Sequence, residues 1–84
     1  MIYEVILTDS FLKDLKKLKS KILEEQVLNK LRELEDFPER NKKLMYDLKD
    51  YYRIRVGKLR VLYIIAGNKV YVEVLVIGHK YEDV

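Results

Sequence analysis

At 84 residues the chain is one domain with room for a modest core; it has no cysteine and one histidine, which excludes a disulfide framework, a thiol nucleophile and a histidine or cysteine metal cluster. Apolar residues at 49% and charged residues at 37% fit a globular protein, no apolar run approaches the ~20 residues of a bilayer span, and the N-terminus lacks a secretory signal, so a cytoplasmic protein without a membrane partner is expected. A net charge of +3 is compatible with a polyanionic partner, and abundant Lys, Glu and Ile lean towards a thermophilic source.

Residues 2–7, IYEVIL, read as a short strand, with Thr8 or Asp9 as the cap of a following helix. From Ser10 the apolar residues Phe11, Leu12, Leu15, Leu18, Ile22, Leu23, Val27, Leu28, Leu31 and Leu34 recur at steps of three and four, the spacing of a stripe that faces a core. Lys19-Ser20-Lys21 interrupts it, Ser20 being a suitable cap, so the pattern predicts a helical hairpin over about 10–18 and 21–35. Lysines at 13, 16, 17, 19 and 21 rim the first helix, either as a solvated face or as a backbone-contacting patch for a long nucleic acid. Asp36 to Asn41, which contains Pro38, reads as a loop, and Lys43 to Leu48 as the beginning of a strand before the Lys49-Asp50 corner.

The stretch from Leu48 to Val76 organises the remainder. Three β-rich runs are separated by Gly57-Lys58 and Gly67-Asn68, both suited to two-residue hairpin loops. Turn length alone then pairs Val56 with Leu59, Arg55 with Arg60 and Ile54 with Val61, and in the second hairpin Ala66 with Lys69, Tyr63 with Val72 and Arg60 with Leu75. Arg53, Arg55 and Arg60 therefore share one face, together with Leu62, Ile64, Tyr71, Glu73, Leu75 and Ile77. The opposite face, including Tyr52, Ile54, Val61, Tyr63, Val72, Val74 and Val76, is the expected core. The whole reads as an α+β fold of order βααβββ, a helical hairpin on one face of a small, mainly antiparallel sheet, with the first strand either central or at the edge.

Like charges set opposite each other destabilise a strand pair, so Arg55 against Arg60 calls for a counter-charge. Guanidinium forks match phosphate oxygens in two-point contacts and can stabilise charge developing on a phosphodiester. Lys58, at the turn, and His79-Lys80, at the end of the last strand, add to this basic set. The alternative is a solvated face whose arginines pair with acids such as Glu73. His79, with an ordinary pKa near neutrality, is either an acid–base group or an exposed strand-end histidine.

Leu48–Tyr63, LKDYYRIRVGKLRVLY, and Val76–Lys80, VIGHK, following an opening strand and helical hairpin, resemble the RelE/ParE toxin superfamily of toxin–antitoxin pairs over essentially the whole chain. The resemblance implies a metal-independent, cofactor-free, ribosome-dependent endoribonuclease that cuts mRNA by attack of a ribose 2′-OH and so inhibits translation. A ParE-like gyrase inhibitor, or a catalytically weak homologue acting by protein binding, is the alternative. Arg53 and Arg55 match the superfamily's paired basic residues, Arg60 its phosphate-stabilising arginine, and Lys80 a basic residue of the last strand. Many members carry a tyrosine shortly after that residue. Here either the chain continues beyond Val84, or Tyr81 or His79 substitutes, or nuclease activity is weak. The implied partners are the ribosome, mRNA and a RelB-type antitoxin in a hetero-oligomer, the antitoxin lying on Leu62, Ile64, Tyr71, Leu75 and Ile77 or along Leu12, Leu15 and Leu18.

Overall fold

A computed structural model of the protein describes residues 2–76. The first strand, β1 (Glu4–Leu7), leads directly into helix α1 (Asp9–Lys16). Thr8 makes that junction: its hydroxyl oxygen accepts from the Phe11 N–H, while its hydroxyl donates to the Val72 carbonyl at 2.8 Å. Such a cap is worth about 1 kcal/mol, and here it also ties the helix start to the sheet. Lys19, with φ at +52°, takes the left-handed conformation that ends the first helical run. Ser20 then accepts from the Leu23 N–H and opens α2 (Lys21–Leu31).

The α-helix stops earlier than periodicity predicts. From Arg32 to Glu35 it tightens into a 3₁₀ turn, and the Glu35 carbonyl accepts from Ile2 and Tyr3 N–H at 3.2 and 3.0 Å. Those main-chain donors lie just before β1, so the expected helix end is diverted into holding the opening strand. The loop at 36–41 contains a second 3₁₀ turn, Pro38–Arg40. The strand expected over Lys43–Leu48 is corrected to a two-residue β2 (Lys42–Lys43) followed by a 3₁₀ turn at Tyr46–Leu48.

The hairpins supply β3 (Tyr52–Val56), β4 (Leu59–Ala66) and β5 (Lys69–Val76). The sheet has five strands in the order β1-β5-β4-β3-β2. β1 sits at an edge, parallel to β5, and every other pairing is antiparallel. The core lies between the helices and one sheet face: Phe11, Leu15, Val27, Leu31 and Leu34 meet Ile54, Leu59, Val61, Tyr63, Val70, Val72 and Leu75. Each such Val or Leu contributes about 1.5–3 kcal/mol by leaving water. Ile22, expected within the helical stripe, is instead 70% exposed, and Leu23 and Leu28 also retain exposed surface.

The first hairpin has the register that its turn predicts, and Gly57 and Gly67 take the φ near +60° that two-residue loops need. The second hairpin departs from it. Ala66 faces Lys69 and Tyr63 faces Val72, but Leu62 faces Val74 and Arg60 faces Val76, because a bulge between Leu62 and Tyr63 leaves Glu73 as the extra residue. Beyond the bulge the alternation of β5 is reversed. Leu75 therefore joins the main core, while Val74 and Val76 move to the arginine side.

Candidate nucleic-acid interface

The β3–β4 hairpin positions the basic set. Its register places Arg55 directly opposite Arg60 and Arg53 opposite Leu62, so Arg53, Arg55 and Arg60 share the sheet face away from the helices. β2 extends the row, since Lys42 lies opposite Arg53. Lys42 escaped the sequence reading because a two-residue strand is too short to show alternation. The Asn-Lys-Lys run just upstream of a β-rich segment was the available signal. Lys58 is exposed at the hairpin tip.

Arg53 is half-buried, and its Nε is enclosed with no hydrogen-bond partner among the described residues. Its guanidinium is held below the usual arginine pKa, first by burial and then by the charges of Arg55 and Arg60. Among the described residues no carboxylate forms an ion pair with Arg53 or Arg55. Glu73, the acid that could have neutralised this face, accepts instead from the Tyr51 hydroxyl at 2.8 Å. That bond raises the Tyr51 pKa, with burial and the charges of Glu73 and Asp50 adding to it. Among the described residues Arg53 and Arg55 thus carry positive charge with no matching acid, an arrangement that attracts anions.

Beside the cations the face is closed by a second hydrophobic cluster. Leu44, turning inward after β2, covers Leu62 and Val76, with Leu48, Tyr51 and Val74 packed around them. The apolar surface expected next to the arginines is corrected accordingly: Leu62 is only 2% exposed under this cover, and Leu75 is 6% exposed because the bulge turns it inward. Leu15 likewise belongs to the main core, whereas Leu12, Leu18, Ile64 and Tyr71 keep partly exposed surface. Ile77, His79, Lys80 and Tyr81 lie outside the described residues.

No helix among the described residues is long and apolar enough to cross a membrane, and no group of three or more His, Asp or Glu among them converges as a metal site. None of the curated proteins matches this sequence. Solved structures do. The chain is similar to the RelBE2 toxin–antitoxin complex of Mycobacterium tuberculosis, at 26% identity and a TM-score of 0.84 over 93% of this chain and 100% of that one. It is also similar to a free double arginine-to-alanine mutant of the E. coli toxin RelE (23% identity, TM-score 0.78, covering 98% of this chain and 90% of that one). The archaeal RelE–RelB complex of Pyrococcus horikoshii matches at 24% identity and a TM-score of 0.75, over 96% of this chain and 100% of that one. These likenesses establish the two-helix, five-strand fold. A family model described as the ParE toxin of the type II toxin–antitoxin system parDE matches residues 5–84. The chain therefore belongs to that family, within the RelE/ParE superfamily, and is a toxin of a type II toxin–antitoxin system.

Proposed function

We propose that this toxin is a ribosome-dependent endoribonuclease that holds mRNA across the face of Arg53, Arg55 and Arg60. The observation that carries the reading is the direct opposition of Arg55 and Arg60 beside Arg53, whose enclosed Nε has no partner and whose charge meets no acid among the described residues. A phosphodiester supplies what Arg53 and Arg55 lack among the described residues: a localised anion with oxygens spaced for guanidinium forks. In the proposed reaction the ribose 2′-oxygen attacks the adjacent phosphorus and loses its proton, and the P–O5′ bond breaks. The products are a 2′,3′-cyclic phosphate and a 5′-hydroxyl, which takes up a proton. The arginines stabilise the extra charge on the five-coordinate phosphorus, a role typically worth about 100–1,000-fold per donor. His79, Lys80 and Tyr81 are the candidates for the proton transfers.

The test is primer extension on mRNA in a reconstituted translation system, with and without ribosomes. Cuts within ribosome-occupied codons, missing without ribosomes and reduced at least about 100-fold by Arg60→Ala, are expected. Uncut mRNA in every lane refutes the reading. A second reading is the one that a ParE-like resemblance implies, inhibition of DNA gyrase through protein binding, and the ParE description of the matching family supports keeping it. In that case Arg53→Ala and Arg60→Ala leave toxicity intact and supercoiling assays respond to the toxin.

The RelE–RelB complexes among the similar structures support a RelB-type antitoxin as partner. The chain offers it the part-exposed Leu12 and Leu18 on the helical hairpin and Ile64 and Tyr71 on the sheet, with acidic antitoxin residues near the arginines. Co-elution of the toxin with the product of the neighbouring reading frame at micromolar concentration is the expected outcome, and separate elution removes this part of the proposal.

A further inference from the structure

A recess of about 520 Å³ opens where β3 emerges from beneath β2, between α2 and the β3–β4 turn. β2 covers only Tyr52 and Arg53, so among the described residues no strand pairs with the edge of β3 from Ile54 onwards. Val56 and Leu59 flank a two-residue turn and so exchange main-chain hydrogen bonds. Ladder geometry then directs the N–H and C=O of Arg55 away from β4, off the open edge and towards the recess. Across from them stand Gln26 and Asn29, exposed and three residues apart on one face of α2. Each amide offers donors and an acceptor. Lys30 and Glu33 border the recess and are ion-paired at 3.1 Å.

Arg55 thus belongs to two surfaces at once. Its side chain stands with the cations on the outer face, while ladder geometry turns its main chain towards the recess that the residue borders. We infer that the recess receives one base of the RNA strand whose backbone Arg55 holds, and that Gln26, Asn29 and the Arg55 main chain read that base's hydrogen-bonding edge. Single-stranded bases are recognised in this way, by donors and acceptors set against their exposed edges. The recess is shallow and open to solvent, which suits a base presented edge-on from a strand that passes outside it rather than an enclosed ligand. A partner's β-strand is the other occupant an open edge suggests. Among the described residues the unpaired stretch is bounded by β2 at one end and the Gly57-Lys58 turn at the other, and it presents the outward main-chain groups of Arg55 alone between them, too little ladder to hold an added strand.

The inference rests on the endoribonuclease reading, and the test separates the two. An mRNA with a randomised coding stretch is translated with the wild-type toxin, with the double variant Gln26→Ala/Asn29→Ala and with Asn29→Asp, and cut positions are counted by base. The wild type should favour one base at a fixed offset from the cut by about 5-fold or more. The double variant should reduce that preference to about 2-fold, and Asn29→Asp, which replaces a donor by an acceptor, should shift it towards bases with an exocyclic amino group. Both positions are exposed on a helix, so the variants retain the fold. Cutting with no base preference, or with a preference that the variants leave unchanged, overturns the base site while the nuclease reading stands. Loss of antitoxin binding in the double variant with cut sites unchanged also overturns it, in favour of a protein partner. If no form cuts, the nuclease reading has failed and the base site falls with it.

Discussion

Arg55 stands directly opposite Arg60 across the β3–β4 ladder, and both charges press on Arg53. Cross-strand like charges cost roughly 0.2–1 kcal/mol. A guanidinium with a lowered pKa is destabilised as a cation in the fold relative to the unfolded chain. The penalty on Arg53 is present at neutral pH and lifts only as that guanidinium loses its proton in strong alkali. Arg55→Thr should therefore raise the melting temperature by a few degrees, given about 4–8 °C per kcal/mol for a domain of this size. The same variant should lose RNA cutting. A substitution that stabilises the fold while abolishing activity would mark the pair as functional; a fall in melting temperature would show that the opposition is relieved within the protein.

The bulge in β5 makes an equally specific prediction. Leu75 is in the main core and Val74 is part of the outer cluster, the reverse of what turn length implies. Leu75→Ala should cost about 2–5 kcal/mol by opening a core cavity. Val74→Ala, on a half-buried position of the outer face, should cost less than Leu75→Ala, because it removes fewer atoms from a site that already meets water. Chemical denaturation of both variants measures the difference, and equal losses would place the bulge elsewhere.

These residues also show where legibility ends. Registers next to a turn can be read from turn length, and the pairings Arg55–Arg60, Ala66–Lys69 and Tyr63–Val72 are those expected. Beyond the bulge nothing in VYVEVLV distinguishes its two faces, because both alternating sets are apolar apart from Glu73. An error of one residue there exchanged Leu75 for Val74 and Val76 and left the second hydrophobic cluster unseen. The caps Thr8 and Ser20 were legible because they are local chemistry. Lys42 was not, because its face is set by a pairing with a distant strand. The exposure of Ile22 was hidden for the same reason: helical spacing identifies a stripe but not how far the sheet beneath it extends.

Tyr63 ties the sheet to the segment that follows the helices. Its ring is fully buried and stacks on Tyr52 at 5.6 Å, and its hydroxyl donates to the Pro38 carbonyl at 2.6 Å and accepts from the Asn41 side-chain amide at 2.9 Å. Tyr63→Phe would strand both partners and should cost about 1–3 kcal/mol. Burial above all pushes the Tyr63 pKa up to about 12 from the ordinary 10. A raised folded-state value means that the unfolded chain ionises first. Stability is fully present below pH 10 and declines as pH rises towards 12. Urea denaturation across that window should show a fall on the order of 2 kcal/mol in the wild type that is smaller in Tyr63→Phe. Parallel declines in both would assign the alkaline sensitivity to another group.

Lys42 gives the last test, of whether the basic row reaches β2. Placed opposite Arg53, it is exposed and contributes to no buried cluster, so Lys42→Ala should leave the melting temperature within about 3 °C of the wild type. If RNA crosses the face from Arg60 towards β2, Lys42 meets a phosphate beyond the one held by Arg53. A single-strand phosphate contact contributes about 0.7 to the slope of log affinity against log salt concentration. Lys42→Ala should reduce that slope by about this amount and weaken different RNA sequences uniformly. Lys69, exposed at the β4–β5 turn and two strands away from β3, provides the comparison, because a change in total charge alone would alter the slope in Lys69→Ala as well. Equal effects of the two variants would mean diffuse attraction by the protein's net charge. An effect confined to Lys42 would define a track running Lys42, Arg53, Arg55 and Arg60 across three strands, with the RNA backbone laid transverse to them.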